Sequence, residues 1–459
     1  MELDNELFVY EEGMLSFRQW ADVRDQMGRV VLSGTGFKKP TYAAVRFETF
    51  SGDLIHRGSF RREICEPARI PDFRWKQTEP DRFVKISGMW WRWPEPIVIK
   101  PWQVPENWGE LRIVGERLGV DVDRNLREVA KGIRRHGVRI LFLGYPIPRK
   151  IGEEPVEMHW QTVRLPKIET KPPKGYRPTD DNFWERCDCR ESFGPNHLIR
   201  YTYTRNWHPS RLQARGRFKG ALRRAKIAVV GSGALGSIMA ELLARGGVQN
   251  MMLIDHEKLD AGNLVRHVLT SDDLREYKAE AMAVRLAKIS PYINVTGVKT
   301  SFPISKDKMG NLLGDVSLLI DCTGSDGPLF SMASYEWPIP KLFVSVFLGF
   351  RARRLFLFVA SGKLFPIKDF RDKWEPWKQH EKILWAQHEE VLEGAGCWSP
   401  LFPARYDDVV LGAATAVKVV DGLATAWPQS PQMVVFEQKE SSGFAGFHRV
   451  PPECPAARA

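Results

Sequence analysis

The residues with the types and spacing to do chemistry begin at "KIAVVGSGALGS", 226–237, where an apolar run enters Gly231-x-Gly233-x-x-Gly236. Such a turn lets backbone N–H groups, here those of Gly233, Ala234, Leu235 and Gly236, approach a phosphate at the start of a helix. Asp255 ends the next apolar run, where an acid can accept from ribose hydroxyls. Taken alone, these features favour NAD. The stretch "IDHEKLDAGNLVRH", 254–267, then adds Asn263 and Arg266, and Lys278 follows. A dinucleotide carries only a pyrophosphate, whereas a triphosphate concentrates more charge and calls for an Arg and a Lys during phosphate displacement. The spacing favours ATP.

The elements that must position these groups follow from the apolar pattern. From 226 onward, strands expected at 226–230, 250–255, 294–299 and 316–321 alternate with helices at 234–246 and about 274–289. That alternation predicts an α/β fold with a doubly wound, mostly parallel Rossmann-like sheet. "KLFVSVFLGF" and "RRLFLFVAS" supply further strands, 362–406 reads as a long irregular stretch, and a helix around 407–426 precedes the strand "QMVVFEQ". Upstream, residues 1–165 mix short β-like runs ("TYAAVRFETF", "PIVIKPW", "VRILFLGYPIP") with the amphipathic helix "DRNLREVAKGIRRHG", ending on Gly137. This is a separate N-terminal α/β domain. The Pro- and Lys-rich segment 167–182 marks a linker, drawn as 166–200, so that the nucleotide-binding domain spans 201–440 and a tail 441–459. The Trp-rich patch "GMWWRWPEPIVIKPWQVPENW" could stack on bases, but reads better as an aromatic core between Pro-bounded strands.

Composition narrows the class. At 459 residues the chain holds two to three domains, and its apolar stretches are too short and interrupted to span a bilayer. The N-terminus "MELDNELFVYEEG" is acidic where a secretory signal needs positive charge, so a soluble, cytoplasmic protein is expected. The net charge of +11 comes from basic residues scattered among 56 acids, which suits acidic partners or polyphosphate rather than nucleic acid. Six cysteines with a single close pair, Cys187-x-Cys189, make neither a disulfide framework nor a tetrahedral zinc site.

The order "GSGALG", Asp255, "NLVRH", Lys278 resembles the E1-like adenylating superfamily that includes ThiF, MoeB and the ubiquitin-activating enzymes, over roughly 205–440. The resemblance implies that Asp255 holds the ribose of ATP, that Asn263, Arg266 and Lys278 hold its phosphates, and that Mg²⁺ bridges them. One departure stands out. The family ends its fourth strand on DxTDN, whereas this chain reads "IDCTGSDG", 320–327, with Gly324 in place of the metal-binding Asp. Asp326 is the expected replacement, and Asp321 is the alternative, unless it only caps the strand turn.

Ubiquitin-type members carry their thioester cysteine in a Cys-x-x-x-x-Phe-Pro element, and Cys397, Phe402 and Pro403 have that spacing in "GAGCWSPLFP". Gly394 and Gly396 would let the thiol swing toward an acyl-adenylate. By the same resemblance the chain adenylates the C-terminus of a ubiquitin-like protein, takes the acyl group onto Cys397, passes it to an E2-like protein, and works as a homodimer. The extra N-terminal domain looks like that of the E1 component in bacterial Bil-type antiphage conjugation operons, and would be non-catalytic. Alternatives are a sulfur-carrier-protein adenylyltransferase, a NAD-dependent oxidoreductase, or a degenerate nucleotide-binding scaffold.

The remaining candidates read as structural. Cys322 follows a buried strand, Cys65 lacks an E2-like His-Pro-Asn element, and Cys187, Cys189 and Cys454 have no assigned role. His380, Glu381, His388 and Glu389 fall on a helix with the histidines eight apart, too far for a helical metal pair. For Arg205 or Arg211, in the basic run before the first strand, the resemblance implies a trans finger reaching the partner subunit's nucleotide site, while an exposed basic helix is the plain reading.

Overall fold

A computed structural model describes residues 88–99, 103–137, 140–147, 157–169, 174, 175, 177, 182, 184–202, 204–206, 216–290, 293–302, 306–386, 404–440 and 443–453, together with the short strands 20–22, 29–34, 41–46 and 61–63. The chain divides into two compact units that meet in sequence at Ala214 and Arg215. Among the described residues no helix is long and apolar enough to cross a membrane.

In the first unit, strands Trp20–Asp22, Glu157–Arg164, Ile140–Ile147, Gly88–Arg92 and Arg61–Glu63 lie side by side in that order, and Arg200–Thr202 pairs with Glu157–Arg164. Helices Trp108–Arg117 and Val122–His136 contribute Trp108, Leu111, Leu126 and Val129 to its core. Gly137 ends the second helix at φ 60°, the left-handed cap expected of it. Trp91, Trp93 and Trp108 are buried, so their rings form a core. Among the described residues of "PIVIKPW", Ile99 forms an isolated bridge with Gln103. Within the segment expected to be a linker, Trp184, Phe193 and Ile199 are buried in this same core, because Trp184–Ser192 coils into a helical turn whose Asp188 is gripped by Arg134 at 2.5 Å. Cys187 and Cys189 lie on that turn and are unbridged.

The second unit carries β1 (Lys226–Val230), α1 (Ala234–Arg245), β2 (Asn250–Ile254), α2 (Lys278–Ile289), β3 (Asn294–Val298), α3 (Lys306–Leu313), β4 (Leu318–Asp321), α4 (Asp326–Ala333), β5 (Lys341–Leu348), β6 (Arg354–Gly362), α5 (Ile367–Ala386), α6 (Tyr406–Leu423), β7 (Gln432–Glu440) and β8 (Phe444–Val450). The sheet order is β3-β2-β1-β4-β5-β6-β7-β8. It is parallel from β3 to β5 and antiparallel from β5 to β8. Alternation along each strand builds the layers: Ile227, Val229, Leu318 and Ile320 face α1, α2 and α6, while Ala228, Val230 and Leu319 face α3, α4 and α5. On α6 the buried residues Val409, Ala413, Ala416, Val417 and Val420 form one stripe, the helical period that made the element readable.

Two expectations along this unit need correction. The stretch 362–406 is not all irregular, since 367–386 forms the twenty-residue α5 despite Pro376, anchored by buried Phe370 and Trp377. The expected tail holds β8, which pairs with β7. Helices α3 and α4 fill the crossovers flanking β4, and buried Lys341 donates its ammonium to the Leu313, Gly314 and Val316 carbonyls just past α3. Burial lowers that ammonium to a pKa of about 8.

Candidate functional site

Strand order reverses between β1 and β4, and the parallel register sets Val230 level with both Ile254 and Asp321. The turns that leave β1, β2 and β4 therefore share one rim, where open α/β sheets bind ligands. The glycine turn is drawn tight there. Gly231 donates its N–H to the Ile254 carbonyl at 2.9 Å. A Cβ at Gly236 would lie 1.9 Å from the Gly231 carbonyl oxygen, so no other residue fits. Helix α1 starts at Ala234 with Gly233 as its N-cap and no side chain capping it. Its first-turn N–H groups have no partner within the helix, and with the helix dipole they form a ready anion site.

On the β2 side, polar groups are linked in series. Asp255 accepts from the Ser232 N–H at 2.7 Å through one carboxylate oxygen and from the Glu257 N–H at 2.8 Å through the other. Glu257, which the sequence reading passed over, accepts from the Lys278 ammonium at 2.5 Å. That hydrogen bond holds the Glu257 carboxyl below the usual carboxylate range. Lys278 is 3% exposed at the start of α2, so its charge is kept inside the protein by one carboxylate partner. Asn263 spends its Oδ1 on the Asp260 N–H in a local capping box. Half-buried Arg266 donates its backbone N–H to the Asn263 carbonyl at 2.9 Å. The structure thus brings the glycine turn, Asp255 and Lys278 into one bonded chain, with Asn263 and Arg266 on the loop between.

On the β5 side the start of α1 opens onto a cavity of about 640 Å³. Gly233, Ala234 and Leu235 form one wall, Thr323 and Gly324 the floor, and Phe347, Phe350, Trp374 and Trp385 an aromatic side. Lys378, Glu381 and Lys382 of α5 supply its charges. The rings pack on one another, Phe347 on Trp374 at 4.6 Å and Phe350 near Trp385 at 5.3 Å. The turn between β5 and β6 holds Arg351 and Ala352 at φ 53° and 52°, a strained pair. Glu381 secures it by accepting from the Phe350 N–H at 2.7 Å and from Arg354 at 2.8 Å.

The two acids considered for metal have different surroundings. Asp321 is 2% exposed and accepts from the Thr323 N–H and hydroxyl and the Ser345 hydroxyl. It closes the β4 turn, and burial raises its carboxyl. Asp326 opens α4 and lines an adjoining cavity with Phe330, Phe370 and Arg371, one that shares Trp374 and Lys378 with the first. Gly324 sits at φ 62° with open space around it. Among the described residues no group of three or more His, Cys, Asp or Glu could hold a metal ion. The groups gathered at the turn fit a polyphosphate.

Burial pushes the Cys322 thiol well up, which makes it a poor nucleophile beside the turn. Cys397, Phe402 and Pro403 lie outside the described residues, as do Cys65, Cys454, Arg211, His388 and Glu389. Arg205 lies on the strand Thr204–Asn206 of the first unit.

The sheet order and uncapped glycine turn are those of a Rossmann-like nucleotide sheet, and within it residues 203–326 match the ThiF family. Residues 2–207 match the Cap2 central linker domain, so both units have counterparts. The chain is 35% identical over 347 residues to the ATP-dependent ubiquitin transferase-like protein Cap2 of Enterobacter hormaechei subsp. hoffmannii (strain UCI 50), an alignment covering 74% of this chain and 57% of that protein. A second Cap2, from Pseudomonas aeruginosa (strain BWHPSA011 / Pa011), is 30% identical over 212 residues, covering 43% and 37%. The molybdopterin-synthase adenylyltransferase of Salmonella typhimurium (strain LT2) is 36% identical over 104 residues, covering 22% and 41%. The chain spans little more than half the length of the first of these relatives.

Proposed function

We propose that the chain is an E1-like activating enzyme that uses ATP to adenylate the C-terminal carboxylate of a ubiquitin-like protein. The observation that carries this reading is the uncapped start of α1, flanked on one side by the Asp255–Glu257–Lys278 chain and open on the other to the 640 Å³ cavity. Such a helix end suits a triphosphate at the junction of two differently lined spaces. In this reading Asp255 takes the ribose, and Asn263, Arg266 and Lys278 take the phosphates. Mg²⁺ bound with the nucleotide would supply charge neutralisation at these phosphates. The named relatives support the use of ATP.

The tail enters along the aromatic wall. Its carboxylate, already ionised at neutral pH, needs no general base. One carboxylate oxygen bonds to the α-phosphorus while the bond from that phosphorus to the bridging oxygen of the β-phosphate breaks, and pyrophosphate leaves. Arg266, Lys278 and the N–H groups of α1 stabilise the charge that moves onto the leaving group. The Cys397 thiolate then attacks the acyl carbon, AMP departs, and the thioester passes to an E2-type cysteine. The proposed setting is a homodimer in a bacterial antiviral conjugation system; the ubiquitin transferase-like Cap2 relatives support the conjugation part of that reading.

The test is ATP–pyrophosphate exchange with candidate modifiers, followed by non-reducing gels. Cys397→Ala is expected to keep exchange and lose a reductant-sensitive adduct. Exchange that never depends on a protein tail would refute the reading, and an adduct surviving in Cys397→Ala would move the thioester to another thiol.

A further inference from the structure

His267 follows Arg266, and its ring is buried against the glycine turn. Both ring nitrogens are engaged. The Leu269 N–H donates to Nδ1 at 3.1 Å, and Nε2 lies 2.6 Å from the Ser232 carbonyl oxygen. A carbonyl can only accept, so Nε2 carries the hydrogen and Nδ1 the lone pair. The neutral ring satisfies both contacts, whereas an imidazolium would set a second N–H against that of Leu269.

The Ser232 carbonyl belongs to the same planar trans peptide as the Gly233 N–H, and the two point to opposite sides of it. The preceding Ser232 N–H is tied to Asp255 at 2.7 Å. Ser232 is thus clamped at both backbone ends, and the clamp on its carbonyl turns the Gly233 N–H away from His267.

We propose that His267 is a positioning residue of the nucleotide site: by holding the Ser232 carbonyl it fixes the 232–233 peptide plane, aiming the Gly233 N–H at a bound phosphate and joining the Arg266 loop to the glycine turn. The proposal rests on the ATP-binding reading of the site. The charged groups that face the ring are Lys278 at the start of α2, Asp255 after β2 and Asp273 in the loop. Burial and then Lys278 favour the neutral form, while the Ser232 carbonyl and the two carboxylates oppose them, and the net direction is below the ordinary histidine value.

The experiment is calorimetric titration of the full chain with the non-hydrolysable analogue AMPCPP, at about pH 7.5 and about pH 5.5, using wild type, His267→Ala and His267→Gln. At the higher pH, His267→Ala is expected to bind about tenfold more weakly, one hydrogen bond's worth. His267→Gln, whose amide can both donate to Ser232 and accept from Leu269, should recover to within about threefold. On acidification the wild type should lose more affinity than His267→Gln, which also controls for protonation of the γ-phosphate. Equal affinity in wild type and His267→Ala, equally weak binding by Ala and Gln, or the same pH dependence in wild type and Gln would each overturn the proposal. Should His267→Ala fail to fold, the Gln comparison across pH still decides. A wild type that binds AMPCPP yet shows no ATP–pyrophosphate exchange would overturn the functional reading alone; one that does not bind it would overturn both.

Discussion

On the β2 side of the glycine turn, charged groups are bound to one another through backbone amides, whereas on the β5 side the wall is aromatic, with its charges set out along α5. The first arrangement holds Lys278 in place before any ligand arrives, because an amide-anchored carboxylate chain cannot drift. The second offers apolar area and few directional bonds, which suits an extended peptide bound by contact rather than by a fixed hydrogen-bond code. The uncapped end of α1 lies between them. One flank thus looks organised for a small, highly charged ligand and the other for a tail.

The comparison can be broken from either side. The largest effect belongs to the polar flank: Arg266→Ala or Lys278→Ala should lower ATP–pyrophosphate exchange by about a hundredfold or more, the scale of losing a charge-stabilising donor. Next, Trp385→Ala or Trp374→Ala should raise the KM for the protein tail about tenfold, with the KM for ATP nearly unchanged, in steady-state kinetics varying one substrate at a time. If both constants shift together, the two flanks are not separate. Asp326→Ala should change exchange by less than about threefold, a small loss compared with that of a group acting on the reacting phosphates. A large drop would assign Asp326 the metal role expected of it from the sequence.

The smallest effect is on stability. With His267 held below its ordinary value by burial, the unfolded chain binds more protons than the folded one between that lowered value and about pH 6.5. Stability is therefore complete above about pH 6.5 and lost as the pH falls through the folded value. Thermal unfolding followed from about pH 7.5 down to pH 5 should show Tm falling by a few degrees more in wild type than in His267→Gln.

The polar flank was legible in the sequence because its parts are close along the chain. Gly231, Asp255, Arg266 and Lys278 lie within one β-α-β-α stretch, where strand and helix periods fix which ends meet. What escaped were the partners that hold them, Glu257 and His267, since a lone acid or histidine in a loop signals nothing until its backbone partner is known. The aromatic flank was not legible. Phe347 comes from the end of β5, Phe350 from the turn that follows it, and Trp374 and Trp385 from α5, joined by folding alone, and only the second half of α5, from about Gln379 on, read as helical in the sequence. Asp326 was chosen by proximity to Gly324 in sequence, and it stands at the start of α4 in the cavity that adjoins the aromatic one.

The most direct test of the two-flank account is a crystal structure of the chain with a stable acyl-adenylate mimic, a tail-derived peptide joined to adenosine through a sulfamate. The account predicts the sulfamate at the N–H groups of Gly233 to Gly236, the ribose on Asp255, and the peptide running past Phe347 and Trp385. A peptide lying along Asp255 and Glu257, or adenosine filling the aromatic cavity, would contradict it.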